Sequence, residues 1–433
     1  MAPATKTPVS KVPIYYGWRV VGVCFVAAVF TWGFGTFGAS VYLAEVTKAH
    51  GWPIALVSSG VTVFYLTAAL SAMFVGRAID RHGSRLMFVA GSLALGAGTA
   101  AVGSVAEVWQ LYAAFVILGL GYSVMSVTGL SATVAPWFER HQGRSIAMAL
   151  TGASVGAMVV VPLFVLAIQQ FGFPAAARGG GVLTVLLLVP LALFVLRYRR
   201  PRDIGLMPDG APSLPVQAGG AAAPAAGWTR ATAIRTSALR TTTIAFALGL
   251  VVQVGFLTHH MKLAEPLIGP TGAGWLVGAT GLAGLIGRLI LARVADGVSL
   301  RHYTGAIMGT QALVLLAIAA FPTTPVLIGG SLVYGFCLGQ ITTLSPIIVR
   351  REFGAASYGA IYGAAAMVIQ FSSALGPAVY GALRDLLGGY GPVLATAAAF
   401  ELAAMAVILA GRSPGPAPTE KGQAAVDAAT EGG

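Results

Sequence analysis

The chain has 433 residues, 57% of them hydrophobic and 9% charged, with 26 Lys and Arg against 14 Asp and Glu. A soluble protein carries about a quarter charged residues, so the deficit excludes a large soluble enzyme and indicates an integral membrane protein. The net charge of +12 sits in short loops, where cations act as topology signals and not as a nucleic-acid surface.

The N-terminus, MAPATKTPVSKVPIYYGWR, is polar and basic, and the apolar run after it lacks a small-residue cleavage site. It is therefore read as a retained first helix. A span needs roughly 20 mostly apolar residues, and on that rule the sequence predicts twelve. The first six are Gly17–Leu43, Ile54–Ala78, Leu86–Ser104, Val108–Ala135, Ser145–Phe171 and Gly179–Leu196. The second six are Thr241–Met261, Gly272–Ala295, Tyr303–Phe321, Pro325–Ile348, Tyr358–Leu383 and Pro392–Ala410. Cations alternate loop by loop. Arg77, Arg81 and Arg85 follow span two, Arg140 and Arg144 follow span four, Arg197 to Arg202 follow span six, and Arg350 and Arg351 follow span ten. The alternation predicts that both termini are cytoplasmic. Cys24 and Cys337 lie far apart in apolar runs and predict neither a disulfide nor a metal site.

A Pro-, Gly- and Ala-rich stretch divides the spans six and six. The predicted organisation is an N-terminal segment 1–16, a six-helix bundle 17–196, a linker 197–240, a second bundle 241–410 and a disordered tail 411–433. The halves repeat at an offset of 216 residues, which aligns Arg77 with Arg293, Asp80 with Asp296, Arg85 with Arg301 and Gly119 with Gly335. Those six charged residues, at the cytoplasmic ends of helices, are expected to clamp the halves together and to gate the cytoplasmic side. One charge breaks the pattern. Arg288 lies inside the apolar run GLAGLIGRLILARVAD, and its counterpart in the first half is Ala72. Intramembrane cations are costly, about 3 kcal/mol or more, and mark functional sites; a structural cation satisfied by backbone carbonyls is the competing reading.

The loop Gly76 to Arg85, GRAIDRHGSR, resembles the diagnostic loop of the major facilitator superfamily, and span count, central linker and repeat agree with that resemblance along the chain. The resemblance implies two pseudo-symmetric six-helix bundles of an all-α polytopic membrane protein. Within the superfamily, Tyr16-Gly17-Trp18, the stretch Trp137 to Gly156, the phrase Pro201 to Gly210 and Gly287-Arg288 resemble the monocarboxylate and oxalate/formate branch. An arginine at the position of Arg288 binds the substrate carboxylate there. The chain departs from the animal monocarboxylate carriers in three places. It has Tyr15-Tyr16 where they have an acid, Gly284 one turn before the arginine where they have aspartate, and Phe37 or Gly38 where they have a span-one lysine. The oxalate exchangers carry a lysine in span eleven, where this chain offers only Gln370. One cation then argues for a monoanion.

In the fold so implied, spans one, four, seven and ten line the cavity. The expected substrate-binding residues are Arg288, Tyr122, Tyr334, Gln370, Ser123 and Trp32, with Arg288 supplying a bidentate fork for a carboxylate. Packing is the alternative for the aromatic residues and helix–helix bonding for the amide. His259 and His260 are read as interface residues at the outer end of span seven. His260 and the mid-span Glu401 are the candidates for proton coupling. The expected function is alternating-access symport of a proton with a small monocarboxylate, lactate- or pyruvate-like, across a bacterial inner membrane. Organic-anion exchange and a transporter-like sensor are the alternatives. No enzyme motif, cofactor or nucleic-acid partner is expected, and the chain is read as a monomer.

Overall fold

A computed structural model describes residues 15–210, 228–354 and 357–415. The core of the predicted linker, 211–227, the first 14 residues and the tail beyond 415 lie outside them. Among the described residues every regular element is helical. This is the arrangement a bilayer permits, because a helix satisfies its own backbone polar groups where no water is present to do so. Eleven helical runs are long and apolar enough to span. Spans one to six are Tyr16–His50, Ile54–His82, Ser84–Val102, Val108–Trp137, Gln142–Phe171 and Phe173–Val195. The run Ser237–Gly297 holds spans seven and eight, broken at Gly269, whose φ of 69° and ψ of 170° belong to a region essentially reserved for glycine. Spans nine to twelve are Leu300–Ala320, Thr324–Phe353, Tyr358–Leu387 and Tyr390–Ala410. The protein is a twelve-span all-α membrane protein. The end of the predicted linker proves helical, at Arg230–Arg235, and span seven starts at Ser237, four residues before the expected Thr241.

The repeat seen in the sequence is a repeat of contacts. A Cβ built on Gly119 would stand 2.6 Å from the carbonyl oxygen of Phe64, and one on Gly335 would stand 2.4 Å from that of Thr280. Both pairs are related by the same 216 residues. Likewise Gly156 is pressed against Val29 O and Gly33 N, and Gly376 against Val251 O and Gly255 N. Spans two and four therefore pack as eight and ten do, and one and five as seven and eleven do, through close backbone approach at small residues.

Twelve spans put both described ends on one side, here called the terminal side; the other is the distal side. Among the described residues every hydrogen bond between the halves lies toward the distal side. Ala55 N donates to Asp385 Oδ2 (2.8 Å), Ala378 N to Thr62 Oγ1 (3.0 Å) and Gln169 Nε2 to Thr271 Oγ1 (2.7 Å), while Ser58 Oγ and His259 Nε2 stand 3.2 Å apart. Span five fits a stripe of glycines on span eight: Gly274 meets Val165, Gly278 meets Pro162, and Gly281 meets Ala157. The halves are thus bonded to each other distally, and among the described residues no hydrogen bond crosses between them on the terminal side. Gly281→Val is expected to prise that seal apart, because a Cβ there would lie 2.3 Å from Ala157 Cβ. Longer spin-label distances between the distal ends of spans five and eight would register it; unchanged distances would refute it.

Candidate functional site

Arg288 continues the stripe of Gly274, Gly278 and Gly281, since seven residues return a helix to nearly the same face. It lies about 10 Å beyond Gly281, past the last glycine seated on span five. Its placement depends on span ten. A Cβ on Gly339 would stand 1.8 Å from Gly284 O, so only glycine permits this approach of the two backbones. At that approach Arg288 Nε donates to Gly339 O at 3.2 Å. The side chain is half-buried, and its two terminal nitrogens have no hydrogen-bond partner among the described residues, nor are they enclosed. One edge of the guanidinium is anchored and the other is free. Gly284, where an aspartate stands in the animal carriers, is part of this backbone contact, and no acid pairs with Arg288 among the described residues.

The first half holds an aromatic group of its own. Span one opens into a wider π turn at Trp32–Thr36, opposite a second one at Gly156–Val160 in span five. Such turns insert a residue and re-aim side chains, often at functional sites. Trp32, Tyr65 and Tyr122 are half-buried there. Tyr122 packs against Trp32 at 5.7 Å between ring centres and against Phe64 at 5.2 Å, and its hydroxyl shares a 3.0 Å hydrogen bond with Thr36 Oγ1. Thr36 and Tyr65 join this group, and nothing in the sequence showed that they meet Tyr122.

Other expected site residues lie elsewhere. Ser123 is buried and donates to Leu120 O of its own helix (2.8 Å). Tyr334 is fully buried against Phe256 (4.3 Å between ring centres), and its hydroxyl has no partner among the described residues. Gln370 is exposed, and its side chain makes no hydrogen bond among the described residues. An apolar groove of about 420 Å³, lined by Leu282, Ile286, Leu332 and Phe336 among others, lies on a different face of span eight from Arg288 and offers no polar group.

The expected clamp takes a different form. Arg301 forms a two-pronged pair with Glu352 (2.7 and 2.8 Å) and also donates to Ala238 O, Thr241 Oγ1, Thr242 Oγ1 and Ile408 O. All these partners belong to its own half, so it braces spans seven, nine, ten and twelve instead of bridging the bundles. Asp296 pairs with Arg351 (3.0 Å) of the same half, and Arg293 donates to Leu289 O of its own helix. Arg77 lies over Phe74, and Asp80 and Arg85 are exposed without an ion pair among the described residues. Among the described residues no ion pair joins any of the six to the opposite half. The two histidines also correct the expectation. Neither is an interface residue, for His259 is 2% exposed and His260 0%. His259 lies within hydrogen-bond distance of Ser58, Pro377 O and Tyr390 (3.0–3.2 Å), and His260 bonds Ser331 (2.9 Å).

Three of the stretches that carry the family resemblance form one knot on the terminal side. Tyr16 packs on Trp137 (5.3 Å) and Trp18 on Phe138 (5.0 Å), while Tyr15 Oη donates to Trp137 O and to Met207 O. Asp209 docks the segment after span six by accepting from the backbone N–H groups of Glu139 and Arg140 (2.9 and 2.8 Å) and by pairing with His141. Burial alone would raise this carboxyl, but the N–H groups of Arg140, Glu139 and His141 outweigh it and hold Asp209 below its ordinary value. A depressed carboxyl stabilises the docked state above the unfolded value of about 3.9, and that contribution disappears as pH falls through the lower, docked value. Asp209→Asn is expected to loosen the segment at neutral pH. Amide exchange at Glu139 to His141, corrected for intrinsic rate, should rise; wild-type protection in the variant would refute the latch.

The chain thus pairs two matched bundles, bonded to each other distally, with a fixed cation inside span eight. A model of the Major Facilitator Superfamily matches residues 23–265, more than half of the chain, and the protein belongs to that superfamily. It is similar to the MFS-type transporter YcxA of Bacillus subtilis, at 24% identity over 42% of this chain, and the matched stretch spans only 44% of that relative's length. It is also similar to monocarboxylate transporter 13 of Bos taurus, at 24% identity over 91% of this chain and 89% of that protein. A crystal structure of a mutant of the nucleoside transporter NupG superposes with a TM-score of 0.68 at 13% identity, covering 91% of this chain and 99% of that one, and shows the shared fold.

Proposed function

We propose that the protein is a secondary transporter of a small monocarboxylate, lactate- or pyruvate-like, working by alternating access with proton symport. The observation that carries this reading is Arg288, a half-buried guanidinium with one edge held by Gly339 O and the other unpaired among the described residues. A carboxylate matches that free edge in shape and charge. The aromatic group of Trp32, Tyr65 and Tyr122 suits a short carbon chain and, through Thr36 and Tyr122, a hydroxyl or keto oxygen. A single cation suits one negative charge. The likeness to a monocarboxylate transporter along most of the chain supports the same substrate class.

Symport with a proton follows from the electrical cost. Carrying an anion inward against a negative-inside potential costs about 2.3 kcal/mol per charge per 100 mV, and a companion proton removes it. In this reading the terminal side is the cytoplasm, the membrane is a bacterial inner membrane, and the protein acts as a monomer. Purified protein in liposomes should accumulate labelled lactate or pyruvate when the outside is acid. Accumulation of neither, across a panel of short carboxylates, would refute the substrate class. Counterflow undiminished after the pH gradient is collapsed, with no gradient-driven uptake, would favour organic-anion exchange instead.

A further inference from the structure

The C-terminal half holds a second polar centre, away from Arg288. Glu401 of span twelve is fully buried, and neither of its carboxyl oxygens has a hydrogen-bond partner among the described residues. Span seven meets it at Gly249, where an added Cβ would stand 3.5 Å from Glu401 Oε2 and 3.4 Å from Met308 Cε of span nine. The titratable groups whose electrostatics it touches are Tyr334 and Cys337 of span ten and Tyr380 of span eleven. Both tyrosine hydroxyls are buried without partners, as are Gln253 Oε1 and Gln311 Nε2, about a turn along from Gly249 and Met308. No cation faces the carboxyl from spans seven, nine, ten or eleven through these contacts. Arg301, which reaches span twelve at Ile408 O, is committed to Glu352.

A carboxylate here would be an uncompensated buried charge, costly by several kcal/mol, whereas a carboxylic acid carries no such charge. We infer that Glu401 is the proton-binding site of the transport cycle, neutral and protonated as the distal side seals, and that span seven couples it to the seal. This deepens, and rests on, the proton-coupled reading above. Span seven carries Gly249 against Glu401 and, ten residues or about 15 Å further along, His259 against Ser58 of span two. Tyr380 lies in the space left by Gly255 of the same helix. Opening the distal side must separate Ser58 from His259 and shift span seven, so the helix that breaks the seal is also the one that covers the acid. Solvent reaching Glu401 then loads it with a proton from the distal side, the seal reforms over the neutral acid, and a later shift of span seven releases the proton to the terminal side, so that one proton crosses per cycle.

The test uses the full chain in liposomes, as wild type and as the near-isosteric Glu401→Gln. Infrared difference spectra on an alkaline pH jump should show loss of a protonated-carboxyl C=O band in the wild type and no such band in the variant. The same band in both proteins would overturn the assignment. Lactate uptake driven by a pH gradient should be lost in Glu401→Gln while lactate counterflow at equal pH persists. Gradient-driven uptake that survives would overturn the proposal, and so would loss of counterflow as well, since the amide would then damage transport and not its coupling. Wild-type protein that moves no lactate in either assay sinks the carboxylate reading alone, and the infrared arm still decides whether Glu401 binds the proton.

Discussion

Arg288→Ala is expected to abolish the proposed carboxylate uptake while leaving expression and thermal stability close to wild type, the largest functional effect of any single change. Among the described residues the guanidinium makes one hydrogen bond, Nε to Gly339 O, so its removal strands no buried partner charge there and leaves the Gly284–Gly339 contact in place. On the substrate side the loss is that of a charge-assisted fork. Truncating one partner of such a pair costs about 2–5 kcal/mol, roughly thirty- to several-thousandfold in affinity at 1.4 kcal/mol per decade. Arg288→Lys keeps the charge but cannot both bond Gly339 O and present two parallel N–H groups, so it should recover only a small part. Binding of short carboxylates to the purified variants, followed by thermal shift, checks both. Equal affinity in wild type and Arg288→Ala would remove Arg288 from the site.

Arg301→Ala should be the most destabilising single change at a charged position. The arginine side chain is 9% exposed and that of Glu352 11%, and the guanidinium also reaches spans seven and twelve. Taking the arginine away leaves a buried carboxylate alone, at a cost of about 3–5 kcal/mol, whereas replacing both partners with apolar residues of similar volume is often near neutral. Thermal unfolding in detergent should show a large drop for Arg301→Ala and substantial recovery in the Arg301→Met, Glu352→Leu double variant. A single variant that melts like wild type would mean that the pair is idle, and an undiminished loss in the double would assign the effect to the other bonds of Arg301.

The fold was largely legible in the sequence because a bilayer leaves few options. Apolar length marked the spans, and the 216-residue offset announced pairings that the structure repeats at Gly119 with Phe64 and Gly335 with Thr280. The site was legible only in part. Arg288 stood out because a fixed charge in an apolar run is anomalous on any reading. Which side chains share a cleft depends on helix rotation, which composition does not encode: Tyr122 and Trp32 meet, whereas Ser123, one residue on from Tyr122, turns to its own backbone and Tyr334 turns inward. The clamp residues repeat in sequence, yet ion pairs across a gate exist only when the gate is shut. The aromatic stretches behind the family resemblance proved to be a structural knot, something short motifs cannot distinguish from a binding site.

Gly269 has a mechanical consequence. Spans seven and eight form one helical run with a single residue out of helical geometry between them, and Pro266 and Pro270 stiffen its flanks. A long loop there would absorb relative movement as slack. A one-residue joint transmits it, so a tilt of span seven, which covers Glu401, becomes a tilt of span eight, which carries Arg288. Acid and cation sit on the two arms of one lever, with its fulcrum at the distal face.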